Sequence, residues 1–329
     1  MSYLLVLVAA AAWASIGIPA EKLFTIGLEP KEVIWFRAAV CFSAMTLITI
    51  IFNRPRLKIA LRDVPLFCLY GFVSVALFYY AYLNTIDKTG VAMAVILLYT
   101  APAMVVLLSR FIFHEAINTK KILCIILTVT GCFLVVKGYD TANLILNMSG
   151  ILLGLLAGFC FAMYSIFGKK TSAHHHPWTV IIYTQGFALL FLSILHFPAG
   201  VFTAQHQSAV WHYLLYIGLV PTLLAYLCYT TALKKIEAGL ASIIATLEPV
   251  MAVFFAYIFL GQVLDPIQTL GAALVIAAVI TVQLPGRAGF FKHGLRQGKS
   301  PNINKQPAQI TSEYGVYTTQ SNRWEKTRL

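Results

Sequence analysis

A carboxylate and a helix breaker stand side by side at Glu248–Pro249, inside the otherwise apolar run "ASIIATLEPVMAVFFAYIFLG" from Ala241 to Gly261. At about 1.5 Å of rise per residue, an acid roughly ten residues into such a helix lies about 15 Å deep. A charge placed there costs on the order of 3 kcal/mol in lipid, so Glu248 must face a cavity or a partner. Its carboxyl group is suited to take up a proton or a cation; the plainer alternative is a neutral acid bonded to a neighbouring helix. Pro249 has no N–H to offer the carbonyl of Ala245, and Pro102 does the same to that of Leu98. Backbone freed at this depth is tolerated where it borders a cavity. The stretch therefore reads as a broken helix aimed at a solute site.

Arg37 is the other charge inside an apolar run. It suits the carboxylate of an organic anion or a pairing with Glu248, and snorkelling to nearby headgroups accounts for it equally well. Aromatic residues are dense, and Trp13, Tyr99, Tyr164 and Tyr226 lie deep enough to wall a cavity. Their rings supply apolar surface and their polar tips hydrogen bonds, although packing alone explains each one singly. The run "HHHP" at His174–His176 falls in a short loop and points to no metal, because consecutive side chains diverge. The six cysteines lie in apolar segments without a Cys-x-x-Cys pair, which argues against a disulfide framework or a zinc site. No metal or other cofactor is expected. Neither a paired carboxylate nor a His-Glu-x-x-His or Gly-x-Ser-x-Gly motif supports an intramembrane enzyme. No Walker motif supports an ATP-driven machine, and no filter-like segment supports a channel.

The elements that must position these groups are membrane helices. The 329 residues are 59% hydrophobic and 11% charged, against about 25% charged in soluble domains. Ten apolar spans emerge, at approximately 3–23, 32–52, 64–86, 90–113, 119–137, 148–168, 178–198, 211–233, 238–260 and 264–284. The first resembles a signal peptide but lacks a basic start and is followed by nine more spans. The net charge of +12 does not indicate nucleic acid. With the N-terminus inside, nineteen cations fall on the inner side and only Lys22, Lys31, Lys88 and Lys137 on the outer. That asymmetry predicts a multi-pass protein of the cell membrane with both termini cytoplasmic. Residues 285–329 are polar and basic and predict a disordered cytoplasmic tail, inert or resting on anionic lipid.

A shift of 147 residues superposes "AVILLYTAPAMVVLLSRFIFHEAINTKKIL" from Ala94 on "ASIIATLEPVMAVFFAYIFLGQVLDPIQTL" from Ala241, placing Pro102 on Pro249 and Glu115 on Gln262. Nearer the starts a shift of 148 pairs Trp13 with Phe161, Lys22 with Lys170 and Arg37 with Gln185. This is a duplication. Each copy holds five spans, an odd number, so the second copy must be inverted. The expected architecture is an all-α membrane bundle of two inverted five-helix repeats, 1–140 and 141–284, around a central cavity. Gly150, Gly154, Gly158 and Ala162 form a small-residue stripe suited to close helix packing, within the fold or at a homodimer face.

The segments "LVAAAAWASIGIPAEKL" and "VIWFRAAV" resemble the opening of an EamA domain of the drug/metabolite transporter superfamily. "LYTAPAMVVLLSRFIFHEAI" and "IIATLEPVMAVFFAYIFLGQVLDPIQTLGAALVIAAVI" resemble the fourth and fifth spans of its two copies. The likeness covers about residues 3–284. It implies a basket-like bundle that exports or imports small metabolites. Gln262 departs from the acidic residue usual at its position, which Glu115 keeps, and this argues against a role for the pair. The combined expectation is a secondary carrier working by alternating access, with proton coupling through Glu248. Amino acids or related organic acids are favoured as solutes, against sugars, nucleobases or cationic drugs. Glu248, Pro249, Pro102, Arg37, Trp13, Tyr99, Tyr164 and Tyr226 are the expected solute-contacting or transport residues.

Overall fold

The computed structural model describes residues 1–140, 147–198, 208–261 and 263–284; the tail at 285–329 and Gln262 lie outside them. Among the described residues every regular element is helical. The helices are α1 (Ser2–Ala14), α2 (Gly17–Thr25), α3 (Pro30–Phe52), α4 (Val64–Gly71), α5 (Phe78–Leu98), α6 (Ala101–Phe113) and α7 (Thr119–Val135). They continue with α8 (Met148–Ser172), α9 (Pro177–Leu195), α10 (Ser208–Gly218), α11 (Ala225–Leu233), α12 (Ala238–Ala245), α13 (Glu248–Leu260) and α14 (Pro266–Gln283). Single π-helical turns, Phe72–Leu77 and Leu219–Leu224, join α4 to α5 and α10 to α11.

Eight helical runs are long and apolar enough to cross a membrane. The longest, 61–98, is really two segments, because Gly90 breaks it at φ 80°, ψ 165°, a conformation open essentially to glycine alone. Residues 91–98 run on through a turn at Tyr99–Thr100 into α6, and α7 adds a further 17-residue span. The described residues thus fall into ten helical segments, compatible with the ten spans read from the hydropathy.

The helix boundaries are written in the sequence, and they repeat. Asn118 caps α7 by accepting from the Lys121 N–H, and Asp265 caps α14 by accepting from the Gln268 N–H. Both caps sit where short oxygen-bearing side chains satisfy first-turn donors, 147 residues apart. His114 and Gly261 end α6 and α13 in the left-handed conformation, at φ 56° and 66°. The two π-turns are also offset by 147. So are the starts of α3 and α9 at Pro30 and Pro177, so by helix start Arg37 corresponds to Thr184, one residue from the pairing read in the sequence.

Two of these equivalent pairs run antiparallel against each other. Trp35 near the start of α3 donates to Ser193 near the end of α9, whereas Thr179 at the start of α9 donates to the Arg56 carbonyl beyond the end of α3. Gln268 at the start of α14 donates to the Val135 carbonyl at the end of α7, and Lys120 donates to the Leu284 carbonyl at the other end of the pair. This arrangement is compatible with an inverted duplication. In the α7–α14 seam a Cβ on Gly271 would stand 2.7 Å from the Gly131 carbonyl oxygen, so the two backbones touch through bare glycine.

The first helix of each half packs chiefly on late helices of the other: α1 on α11, α12 and α13, and α8 on α5 and α6. The small-residue stripe of α8 makes the second contact. A Cβ on Gly150 would meet Thr89, one on Gly154 would meet Leu97, and one on Gly158 would lie 2.9 Å from the Leu97 carbonyl. The stripe is therefore spent inside the chain against the broken segment of α5 and is not a free dimer face.

Candidate functional site

The breaks anticipated at the two prolines are present, and each new helix starts one residue before its imino acid. α12 stops at Ala245 and α13 starts at Glu248, which puts Pro249 in the first turn of a new helix; Pro102 occupies the same place in α6. A first-turn N–H has no partner within its helix, so proline costs nothing there. Glu248 is the first residue of α13 and stands at the positive end of the helix dipole, where a negative charge is favoured. Both prolines are buried in the bundle rather than turned to lipid.

A cavity of about 430 Å³ lies over this break, within the range of about 300–1,000 Å³ typical of small-molecule sites. Phe24, Pro30, Ile86 and Val91 line it at the helix ends of the lysine-poor face. Trp13, Tyr164 and Tyr226 form its floor beside Glu248. The Tyr164 and Tyr226 rings stack with centroids 4.9 Å apart, and Trp13 meets Tyr226 edge-on at 5.9 Å. The remaining wall is largely apolar: Val33, Ile34, Phe78, Leu83, Leu98 and Phe161, joined by Ser74, Tyr79 and Tyr82.

Arg37 reaches this wall from α3 and is only 8% exposed. It does not snorkel. Nε donates to Thr222 Oγ1 at 3.0 Å, Nη2 donates to the Pro221 carbonyl at 3.4 Å, and the guanidinium carbon lies 5.4 Å from the Tyr79 ring centroid. The π-turn explains this clamp. Pro221 has no N–H for the Ile217 carbonyl, and the Thr222 hydroxyl donates to that oxygen instead, at 2.8 Å. The same hydroxyl oxygen, together with the Pro221 carbonyl, then accepts from Arg37. Among the described residues no ion pair within 4 Å joins Arg37 to Glu248. The cavity wall therefore carries one fixed guanidinium and one separate carboxylate.

Of the eight residues singled out from the sequence, Trp13, Arg37, Tyr164, Tyr226 and Glu248 share the cavity wall. Tyr99, Pro102 and Pro249 do not: they are buried in the break turns behind it. Ser74, Phe78, Tyr79, Tyr82, Phe161 and the arginine-holding Thr222 were not singled out. A signal existed for three of them, since Ser74, Phe78 and Tyr82 recur every fourth residue and so share one helix face. The His174–His176 run serves local structure. His175 Nε2 is 3.3 Å from Asp63 Oδ2, and His176 Nδ1 accepts from the Trp178 N–H at the start of α9. Among the described residues no cluster of three or more metal-ligating side chains occurs.

The chain matches the EamA-like transporter family twice, over residues 1–137 and again over 148–284. It is 31% identical over 240 residues to the threonine/homoserine exporter RhtA of Escherichia coli K12, covering 71% of this chain and 76% of that protein. An uncharacterized transporter of Archaeoglobus fulgidus is 28% identical over 211 residues, covering 64% of this chain and 72% of that protein. YdfC of Bacillus subtilis, also an uncharacterized transporter, is 26% identical over 270 residues, covering 81% and 86%. A solved crystal structure with 13% identity superposes at a TM-score of 0.73 over 90% of this chain and 99% of its own, which shows a shared fold. With two family matches on a bundle of membrane-crossing helices, the chain belongs to the EamA-like transporter family: it is a multi-pass membrane transporter of the drug/metabolite superfamily, not an enzyme.

Proposed function

We propose that this protein is a secondary carrier for small zwitterionic solutes of the amino-acid type, working by alternating access between two inverted five-helix halves, residues 1–140 and 141–284. The observation that carries this reading is the pairing of opposite charges on an otherwise apolar cavity wall. Arg37, held by Thr222, offers a cation to a solute carboxylate, and Glu248 offers an anion to its ammonium group, while the tyrosine and tryptophan floor accepts a compact side chain. The threonine/homoserine exporter among the relatives agrees with that chemistry. Cationic drugs would use Glu248 but leave a buried arginine facing them, which disfavours them; sugars and nucleobases would use neither charge fully.

Glu248 also serves as the proton site. It is the single carboxylate on the wall and bears no ion pair, so it is free to exchange a proton for the solute ammonium. The bias of basic residues supports cytoplasmic termini, with the cavity mouth on the far side of the cell membrane. The test is transport in proteoliposomes with radiolabelled threonine and homoserine under an imposed pH gradient. Saturable flux with counterflow is expected of the wild type. Glu248→Gln should lose the response to the gradient while retaining exchange. Flux that does not saturate would point to a channel, and an unchanged pH response in Glu248→Gln would remove the proton role.

A further inference from the structure

Below the aromatic floor, toward the lysine-rich face, α4, α8 and α11 enclose a column of hydroxyl groups that the cavity does not use. Tyr70, Ser165, Tyr229 and Thr230 are all at least 95% buried. Ser165 Oγ and Tyr229 OH are hydrogen-bonded at 2.7 Å. Tyr70 OH and Thr230 Oγ1 make no well-aligned hydrogen bond, although the hydroxyl of Tyr164, itself on the cavity floor, adjoins both. A hydroxyl left without a good partner in a dry interior forfeits its hydration for nothing. Two together in one seam call for a physical reason. A second conformation in which the seam is hydrated would satisfy both.

The far end of the column is tied shut across the two halves. Glu115, 7% exposed, follows α6, and its carboxylate accepts from the backbone N–H groups of Ala238 and Gly239 at the start of α12, at 2.7 and 3.2 Å. Lys169 on α8 stands 3.8 Å from that carboxylate and donates to the Ile236 carbonyl at 2.6 Å. Lys121 on α7 pairs with Glu237 at 2.5 Å. The closing element between column and latch is Gly168, where a Cβ would lie 2.8 Å from Leu233 and 3.0 Å from the Tyr70 hydroxyl.

We propose that the column Tyr70–Ser165–Tyr229–Thr230 is the closed second half of the solute path, and that the Glu115–α12 contact is the latch holding it closed. This rests on the alternating-access reading. It assigns Glu115 a task that its imperfect repeat partner at 262 had argued against, because the latch needs one carboxylate on one face only.

The labelling arm of the test needs no solute and so stands apart from the identity of what is carried. In a variant with the six native cysteines replaced, Thr230→Cys is exposed to a membrane-impermeant maleimide added from the lysine-rich face, and Ser74→Cys, on the cavity wall, to the same reagent from the opposite face. Adding Glu115→Gln should raise the labelling rate of Thr230→Cys at least tenfold and slow that of Ser74→Cys. An unchanged rate at Thr230→Cys in a monodisperse Glu115→Gln protein overturns the latch. If Glu115→Gln does not fold, Lys169→Gln removes the cation beside the same carboxylate and takes its place. Tyr70→Phe and Thr230→Val complete the test: each should keep or raise the thermal midpoint and slow solute flux, and an unslowed flux overturns the column as a path.

Discussion

Replacing Thr222 by valine exchanges one hydroxyl for a methyl of nearly the same size, so packing is preserved and two hydrogen bonds are lost. The first is the contact from Arg37 Nε at 3.0 Å, a bond to a charged group worth about 1.5–3 kcal/mol. The second is the donation to the Ile217 carbonyl at 2.8 Å, a neutral bond worth about 1 kcal/mol, which Pro221 cannot replace because it has no N–H. If Arg37 stays in place, the sum is a loss of about 3 kcal/mol in stability, read as a lowered thermal midpoint in detergent. If the guanidinium instead swings out to water in the cavity, stability recovers, but the cation that receives the solute carboxylate is misplaced. At about 1.4 kcal/mol per factor of ten, losing one charge-assisted contact then raises the KM for threonine at least tenfold, with a smaller change in the maximal rate. Thr222→Ser keeps the hydroxyl and should behave as the wild type in both assays. If Thr222→Val leaves both the midpoint and the KM where they were, the π-turn does not hold Arg37, and the reasoning from clamp to solute site fails.

Gly271→Ala places a methyl 2.7 Å from the Gly131 carbonyl oxygen and 2.9 Å from the Val135 nitrogen, both backbone. The α7–α14 pair must part, at a cost of about 1–3 kcal/mol, seen as a lower thermal midpoint, whereas Gly17→Ala, which meets nothing within 4 Å, should be silent. Burial first, then Arg56 and Lys234, hold the His176 imidazole below its ordinary value of 6.5, and in its neutral form it accepts from the Trp178 N–H at the start of α9. The folded protein therefore resists a proton that the unfolded chain takes up. This cap's contribution is complete above pH 6.5 and declines as the pH falls through the lower folded value. Thermal midpoints measured at pH 7.5 and 5.5 should converge in His176→Asn, which caps without titrating, relative to the wild type.

Much of this molecule is legible in one dimension because a helix in lipid must satisfy its own backbone. Span lengths, the caps at Asn118 and Asp265, the proline-marked breaks at 99–100 and 246–247 and the 147-residue repeat are all local matters of hydrogen bonding and hydropathy. They place Glu248 at mid-depth before any packing is known. The face each helix turns inward is another matter. In water a polar stripe marks the outer surface, but lipid is as apolar as a helix interior, so the contrast that orients a soluble helix is missing. Sequence alone therefore left Arg37 equally suited to the headgroups and to the cavity. It could not assign the α8 stripe to the chain or to a partner, it passed over Ser74 and Tyr79, and it argued against a role for Glu115. Those choices were made by contacts between residues more than a hundred positions apart: Arg37 with Thr222, Gly271 with Gly131, Glu115 with Ala238. Local rules fixed the rods and their breaks, and only their packing decided which side chains meet.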